Sequence, residues 1–158
     1  MRHHNRQGFT LIELLIVIAI SILMVGGGIA AFLTFNDRQG LQNSAKLLQT
    51  YLRSAQTKAR VGDKPAGCDQ LNGYEVRLTA NSGNVVLSAV CSGGNVVRNT
   101  YVLPNDVTSE NSQSIVFANL FGGVTGAGTI TLTTNALVDY EYSFKVTAGG
   151  EVTDGSFL

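Results

Sequence analysis

The sequence predicts an α+β protein: one long N-terminal α-helix packed on an antiparallel β-sheet domain. Three observations carry this expectation. Residues from Phe9 to Phe35 are apolar or small with Glu13 as the only charge, a helical stripe of apolar residues follows, and beyond Gly62 the pattern turns to short alternating runs separated by glycines. Charged residues make up 14% of the chain, against about 25% in ordinary soluble domains. That shortfall sits in the N-terminal run. The 11 basic and 11 acidic residues balance, which argues against an electrostatic nucleic-acid binder. Four segments follow: a basic leader over 1–8, a hydrophobic segment over 9–35, its amphipathic continuation over 36–61 and a β-rich head over 62–158.

The hydrophobic segment admits three readings. A secretory signal peptide has a core of roughly 7–15 apolar residues and a small-residue cleavage site; this run is longer, and no such site closes it. A plain signal anchor needs about 20 residues to span a bilayer, which the run supplies. Arg2 and Arg6 would then hold the leader in the cytoplasm and place Asn36 onward outside. Neither reading explains Glu13, since a carboxylate at mid-membrane costs about 2.5–3.5 kcal/mol. The third reading, below, does.

Behind this segment Leu41, Ala45, Leu48, Leu52, Ala55 and Ala59 recur at spacings of 4, 3, 4, 3 and 4, a single apolar stripe. Lys46, Arg53, Lys58 and Arg60 lie off it. Lys58 and Arg60 in the last turn, Gly62 as a left-handed cap and Pro65 beyond set the stop near Val61. A helix from Phe9 to Val61 would be about 80 Å long. A coiled-coil seam would show similar spacing; the short extent and the lack of consistent flanking charges favour packing on the chain's own sheet.

The head reads as antiparallel strands at Tyr74–Ala80, Asn84–Cys91, Asn95–Leu103, Ser114–Leu120, Thr129–Thr134 and Asp139–Ala148, with a short last strand in "EVTD" after Gly149 and Gly150. "NSG" between the first two is a hairpin signal. In the sixth, Tyr140, Tyr142, Phe144 and Val146 share one face. Cys68 and Cys91 lie in this region. If it is extracytoplasmic, a disulfide between them is the natural reading, worth about 3 kcal/mol by loop-closure entropy; in a reducing compartment they would be free thiols.

"GFTLIELL", after the leader "MRHHNRQG", resembles the type III signal of type IV pilins and type II secretion pseudopilins. The resemblance implies cleavage between Gly8 and Phe9 by a prepilin peptidase on the cytoplasmic side, N-methylation of the new Phe9 amine, and retention of the apolar segment. It also supplies a partner for Glu13: the Phe9 amine of a neighbouring subunit. Such a pair sets assembly register, because misplacing one charge strands the other; the alternative is a carboxylate that merely snorkels to the headgroups. Many major pilins carry a helix-breaking proline in this segment. Here the first proline is Pro65, and Gly26, Gly27 and Gly28 stand in its place. Three glycines cost a helix roughly 3 kcal/mol relative to alanine. They mark either close helix packing or, as the resemblance suggests, a stretch that unwinds in the filament.

The second half, "IVFANLFGGVTGAGTITLTT…YSFKVTAGGEVTDG", looks like the β-domain of H-type minor pseudopilins and related minor pilins of DNA-uptake and pilus-priming systems. Some DNA-binding members carry arginines around the last glycine turn. The equivalent stretch here offers Glu151 and Asp154 and no base, which speaks against nucleic acid as a partner.

Chemistry is not evident. The cysteines have no histidine outside the leader, Asp139 and Glu141 share a strand face as a solvated edge, and "GGVTGAG" lacks the Lys-Ser/Thr of a phosphate loop and precedes a strand. No metal-ligand spacing appears. The expectation is therefore a structural protein, not an enzyme, without cofactor or metal. The resemblance implies a pilin, minor pilin or pseudopilin with the prepilin peptidase, other pilin subunits, the inner-membrane assembly machinery and, before assembly, the membrane as partners. It would begin as a single-pass inner-membrane protein and end in an extracytoplasmic or cell-surface filament. The alternative is a low-copy tip or minor pilin acting as a binding module for DNA, a surface or a secretion substrate.

Overall fold

The computed structural model describes residues 9–134 and 140–158, the side chains at 27, 28, 30, 31 and 121 excepted. The leader with Gly8, and Asp139, therefore lie outside the described residues. By its contacts the chain forms two units, one ending at Asn36 and the other running Asp37–Leu158.

The helix α1 (Leu11–Val61) is continuous through positions 26–28. Thr10 starts it. Its Oγ1 accepts the Glu13 N–H at 3.3 Å, and its carbonyl accepts the Leu14 N–H at 3.2 Å, the geometry of an N-cap. Gly62 ends it at φ +67, where the Gly62 N–H bonds the Ala59 carbonyl and the Asp63 N–H bonds the Lys58 carbonyl. That pair of bonds is a Schellman motif, and it falls where Gly62 was expected to cap.

The expected stripe is the helix's contribution to the head's core. Leu41, Ala45, Leu48, Leu52 and Ala55 are fully buried and Ala59 nearly so, against Tyr74, Val76, Leu78, Val85, Leu87, Ile115, Phe117, Ile130 and Leu132. The stripe thus packs on the chain's own sheets. Three polar side chains beside it bind backbone carbonyls of the head: Ser44 to Pro104 at 3.1 Å, Gln49 to Thr153 at 3.1 Å and Gln56 to Gly150 at 2.8 Å. Tyr51 on α1 also stacks on Tyr101, ring centroids 3.9 Å apart.

The strands are β1 (Leu71–Leu78), β2 (Asn84–Cys91), β3 (Gly94–Val102), β4 (Val107–Ser109), β5 (Gln113–Ala118), β6 (Val124–Thr125), β7 (Gly128–Thr134), β8 (Glu141–Val146) and β9 (Ser156–Phe157). They form two antiparallel sheets, one ordered β3-β2-β1-β5-β6 and the other β4-β7-β8-β9. Burial alternates along β8 as read from the sequence, with Tyr142, Phe144 and Val146 inside.

Three expectations change. The strand expected over Ser114–Leu120 stops at Ala118, and a short 3-10 turn over Asn119–Phe121 follows, with Leu120 left-handed at φ 51. Asn119, Gly122 and Gly123 supply the turn chemistry. The short strands β4 and β6 were not anticipated. "EVTD" is not a strand: Val152 makes an isolated bridge to Val146, and Thr153 takes over the pairing with Lys145, its hydroxyl accepting the Lys145 N–H at 3.0 Å. Regular pairing resumes at β9.

Candidate functional site

The N-terminal unit places one carboxylate among exposed hydrocarbon. Phe9 is 81% exposed, and Leu11, Ile12, Leu14, Leu15, Ile16, Val17, Ile18 and Ile20 are all more than half exposed except Ile20 at 49%. Exposure continues through Ile22, Leu23, Met24, Val25, Ile29, Phe32, Leu33 and Phe35. A soluble monomer does not leave so long an apolar surface open to water. A Cβ at Gly26 would meet no atom within 4 Å, and an open apolar notch lies there, lined by Ser21, Ile22, Val25 and Gly26. The Ser21 hydroxyl is turned back onto the Val17 carbonyl at 2.7 Å, so the only polar side chain at the notch presents no free donor there.

Glu13 sits in the first turn of α1, where a negative charge meets the positive end of the helix dipole. Among the described residues its carboxylate makes no ion pair. Its backbone, by contrast, is committed to Thr10. Thr10-x-x-Glu13 has the sequence form of a capping box. Among the described residues no helix is long and apolar enough to cross a membrane.

In the head, Cys68 and Cys91 are joined in a disulfide with Cα atoms 5.5 Å apart. It pins the segment between α1 and β1 onto the end of β2. The same segment is held by the Lys58–Asp63 pair at 2.8 Å and by the Tyr74 hydroxyl donating to the Asp63 carbonyl at 2.6 Å. Hydrogen bonding and charge from Lys58 hold the Asp63 carboxyl below its ordinary range.

One buried carboxylate gave no sequence signal. Glu75 on β1 accepts hydrogen bonds from Ser114 at 2.5 Å, Asn95 at 2.9 Å and Arg77 at 2.9 Å. Burial pushes its pKa up, but these donors outweigh burial and the carboxyl lies below its usual value. With all its acceptors engaged, Glu75 is a structural anion that joins β1, β3 and β5. A cleft of about 170 Å³ is lined by Gln56, Arg60, Phe117, Ala118, Gly123, Val124 and Gly149, with Arg60 its one titratable group among the described residues. Among the described residues no group of His, Cys, Asp and Glu could hold a metal. Glu141 is exposed at the start of β8. The glycine-rich "GGVTGAG" holds β6 and the turn into β7, with Gln113 bonding the Gly126 carbonyl at 3.2 Å.

A long N-terminal helix that begins at a capped first turn with a lone carboxylate and continues onto an antiparallel β-sheet head is a pilin-like α+β architecture. Residues 3–29 match the family model of the prokaryotic N-terminal methylation motif. That motif is the type IV prepilin-like signal, and its match over the N-terminal segment supports a likeness to the type IV pilin and pseudopilin family. No curated protein and no solved structure matches the chain.

Proposed function

We propose that this chain is a structural subunit: cleaved between Gly8 and Phe9, methylated on the Phe9 amine and polymerised through its N-terminal helix into a type IV pilus-like filament. The observation that carries the reading is the exposed apolar surface over residues 9–35, where Glu13 is the only charge. Before assembly, residues 9–35 lie in the inner membrane, with 36–61 and 62–158 outside it. Leaving lipid for a filament, the helix covers its apolar side chains with those of other copies, and Glu13 takes the Phe9 amine of a neighbour as its counter-ion. The pair fixes axial register. Gly26–Gly28 form the stretch of the helix that can extend as subunits pack.

Mass spectrometry of the membrane-associated protein tests the first half. The expected N-terminus is methylated Phe9; an intact Met1 in cells that contain the peptidase would defeat the reading. For the second half, Glu13→Gln is expected to leave insertion and cleavage unchanged while filaments are lost, as seen by electron microscopy of sheared material. Normal filaments built from that variant alone would remove the register role.

A further inference from the structure

We infer that the head docks on a second copy of this chain through opposite charges, a basic ridge on α1 meeting a carboxylate corner of the four-stranded sheet. This rests on the filament reading above. The exposed positions of α1 in the head include 39, 43, 46, 50, 53, 57 and 60, beside 38 and 61 at its two ends, so one face looks outward along its length. Lys46, Arg53 and Arg60 occupy it at intervals of seven, about 10.5 Å apart along the axis. The hydroxyls of Thr50 and Thr57 between them bond back to the Lys46 and Arg53 carbonyls at 2.9 Å each. No acidic residue occurs between Arg38 and Gly62. Among the described residues none of the three cations makes an ion pair.

The complementary surface lies in the same unit. Asp106 and Glu110 flank β4, and Glu141 opens β8. Thr108 of β4 pairs with Thr133 of β7, and Thr133 pairs with Glu141. Glu141 therefore lies two strands, about 10 Å, from Thr108, and Asp106 and Glu110 are at most about 13 Å apart. All three carboxylates are exposed, and none is ion-paired among the described residues. Described charges beyond residue 105 are Asp106, Glu110, Glu141, Glu151 and Asp154 against Lys145 alone.

A second copy is the occupant these facts select. The chain is neutral overall, yet its head carries unpaired charges of the two signs on different elements at similar spacings. A contact between two different patches is heterologous, and repeating it propagates a filament unless the rotation closes a ring. Each exposed pair is weak and screened by salt, so the contact orients neighbours more than it binds them.

The full-length chain is tested in cells that process and assemble it. Lys46→Glu/Arg53→Glu/Arg60→Glu and Asp106→Lys/Glu110→Lys/Glu141→Lys are each expected to lower filament yield about tenfold, with cleavage at Phe9 and the disulfide intact. A chain carrying all six reversals is expected to recover assembly. In wild-type filaments built from mixed isotope-labelled copies, carbodiimide should couple Lys46 of one copy to Asp106, Glu110 or Glu141 of another. Wild-type yields from either triple variant would overturn the docking while leaving the filament reading standing. Filaments without any such cross-link would overturn it also, even if a triple variant failed to fold. A wild-type chain that forms no filaments would sink the filament reading, and the docking with it.

Discussion

Thr10 and Glu13 carry two functions that substitution can separate. The Thr10 hydroxyl caps the backbone of Glu13, while the proposed register role belongs to the Glu13 carboxylate. Thr10→Ala should cost the helix about 1 kcal/mol and fray its first turn, yet filaments should still form, in contrast to Glu13→Gln; electron microscopy of both variants makes the comparison. Glu75 offers a pH test. Its folded pKa lies below the ordinary 4.5, so its contribution to stability is present above that value and is lost as the pH falls through the folded pKa. Glu75→Gln should therefore be less stable than wild type near neutrality and converge with it in acid. Urea unfolding at a series of pH values would show the two curves closing; a constant gap would contradict the assignment. Gly126 sits at φ +77 with the Ser114 carbonyl oxygen where a Cβ would go. Gly126→Ala should lower stability by more than about 1 kcal/mol, read as a lower melting temperature.

The elements differ in how plainly the sequence announced them. The C-terminal half of α1 was legible because six apolar positions and a Gly62 cap agree, and local signals of that kind need no knowledge of the rest of the fold. β2 and β8 were legible for a similar reason, having clear alternation or sharp glycine borders. β4, β6 and β9 were not, since two or three residues hold no period and form strands only because a longer neighbour supplies the pairing. The N-terminal methylation motif, matched over residues 3–29, was visible as an ordered run of residue types. The Glu75 network was hidden, because Asn95 and Ser114 reach it only through the registry of three strands. The disulfide spans 23 positions, and by loop-closure entropy its removal in Cys68→Ser/Cys91→Ser should cost the head about 3 kcal/mol. Chemical denaturation of the variant, compared with wild type under oxidising and reducing conditions, measures it; reduced wild type should match the variant.

For the molecule as a whole, the bonds from Gln49 to Thr153 and from Gln56 to Gly150 join groups 104 and 94 positions apart. The residues that line the helix's side of the core are made early, and the turns that satisfy its glutamines are made late. Contacts of such long range are slow to form, because loop closure must precede the energy they return. The head therefore cannot finish folding while its chain is still emerging. In the filament reading proposed above, synthesis and export come first, closure of the core afterwards, and the interval between them is a stage at which oxidation of Cys68 and Cys91 would trap the first hairpin before the last strands arrive. On that reading, subunit supply to a growing filament would be timed by the maturation of each head.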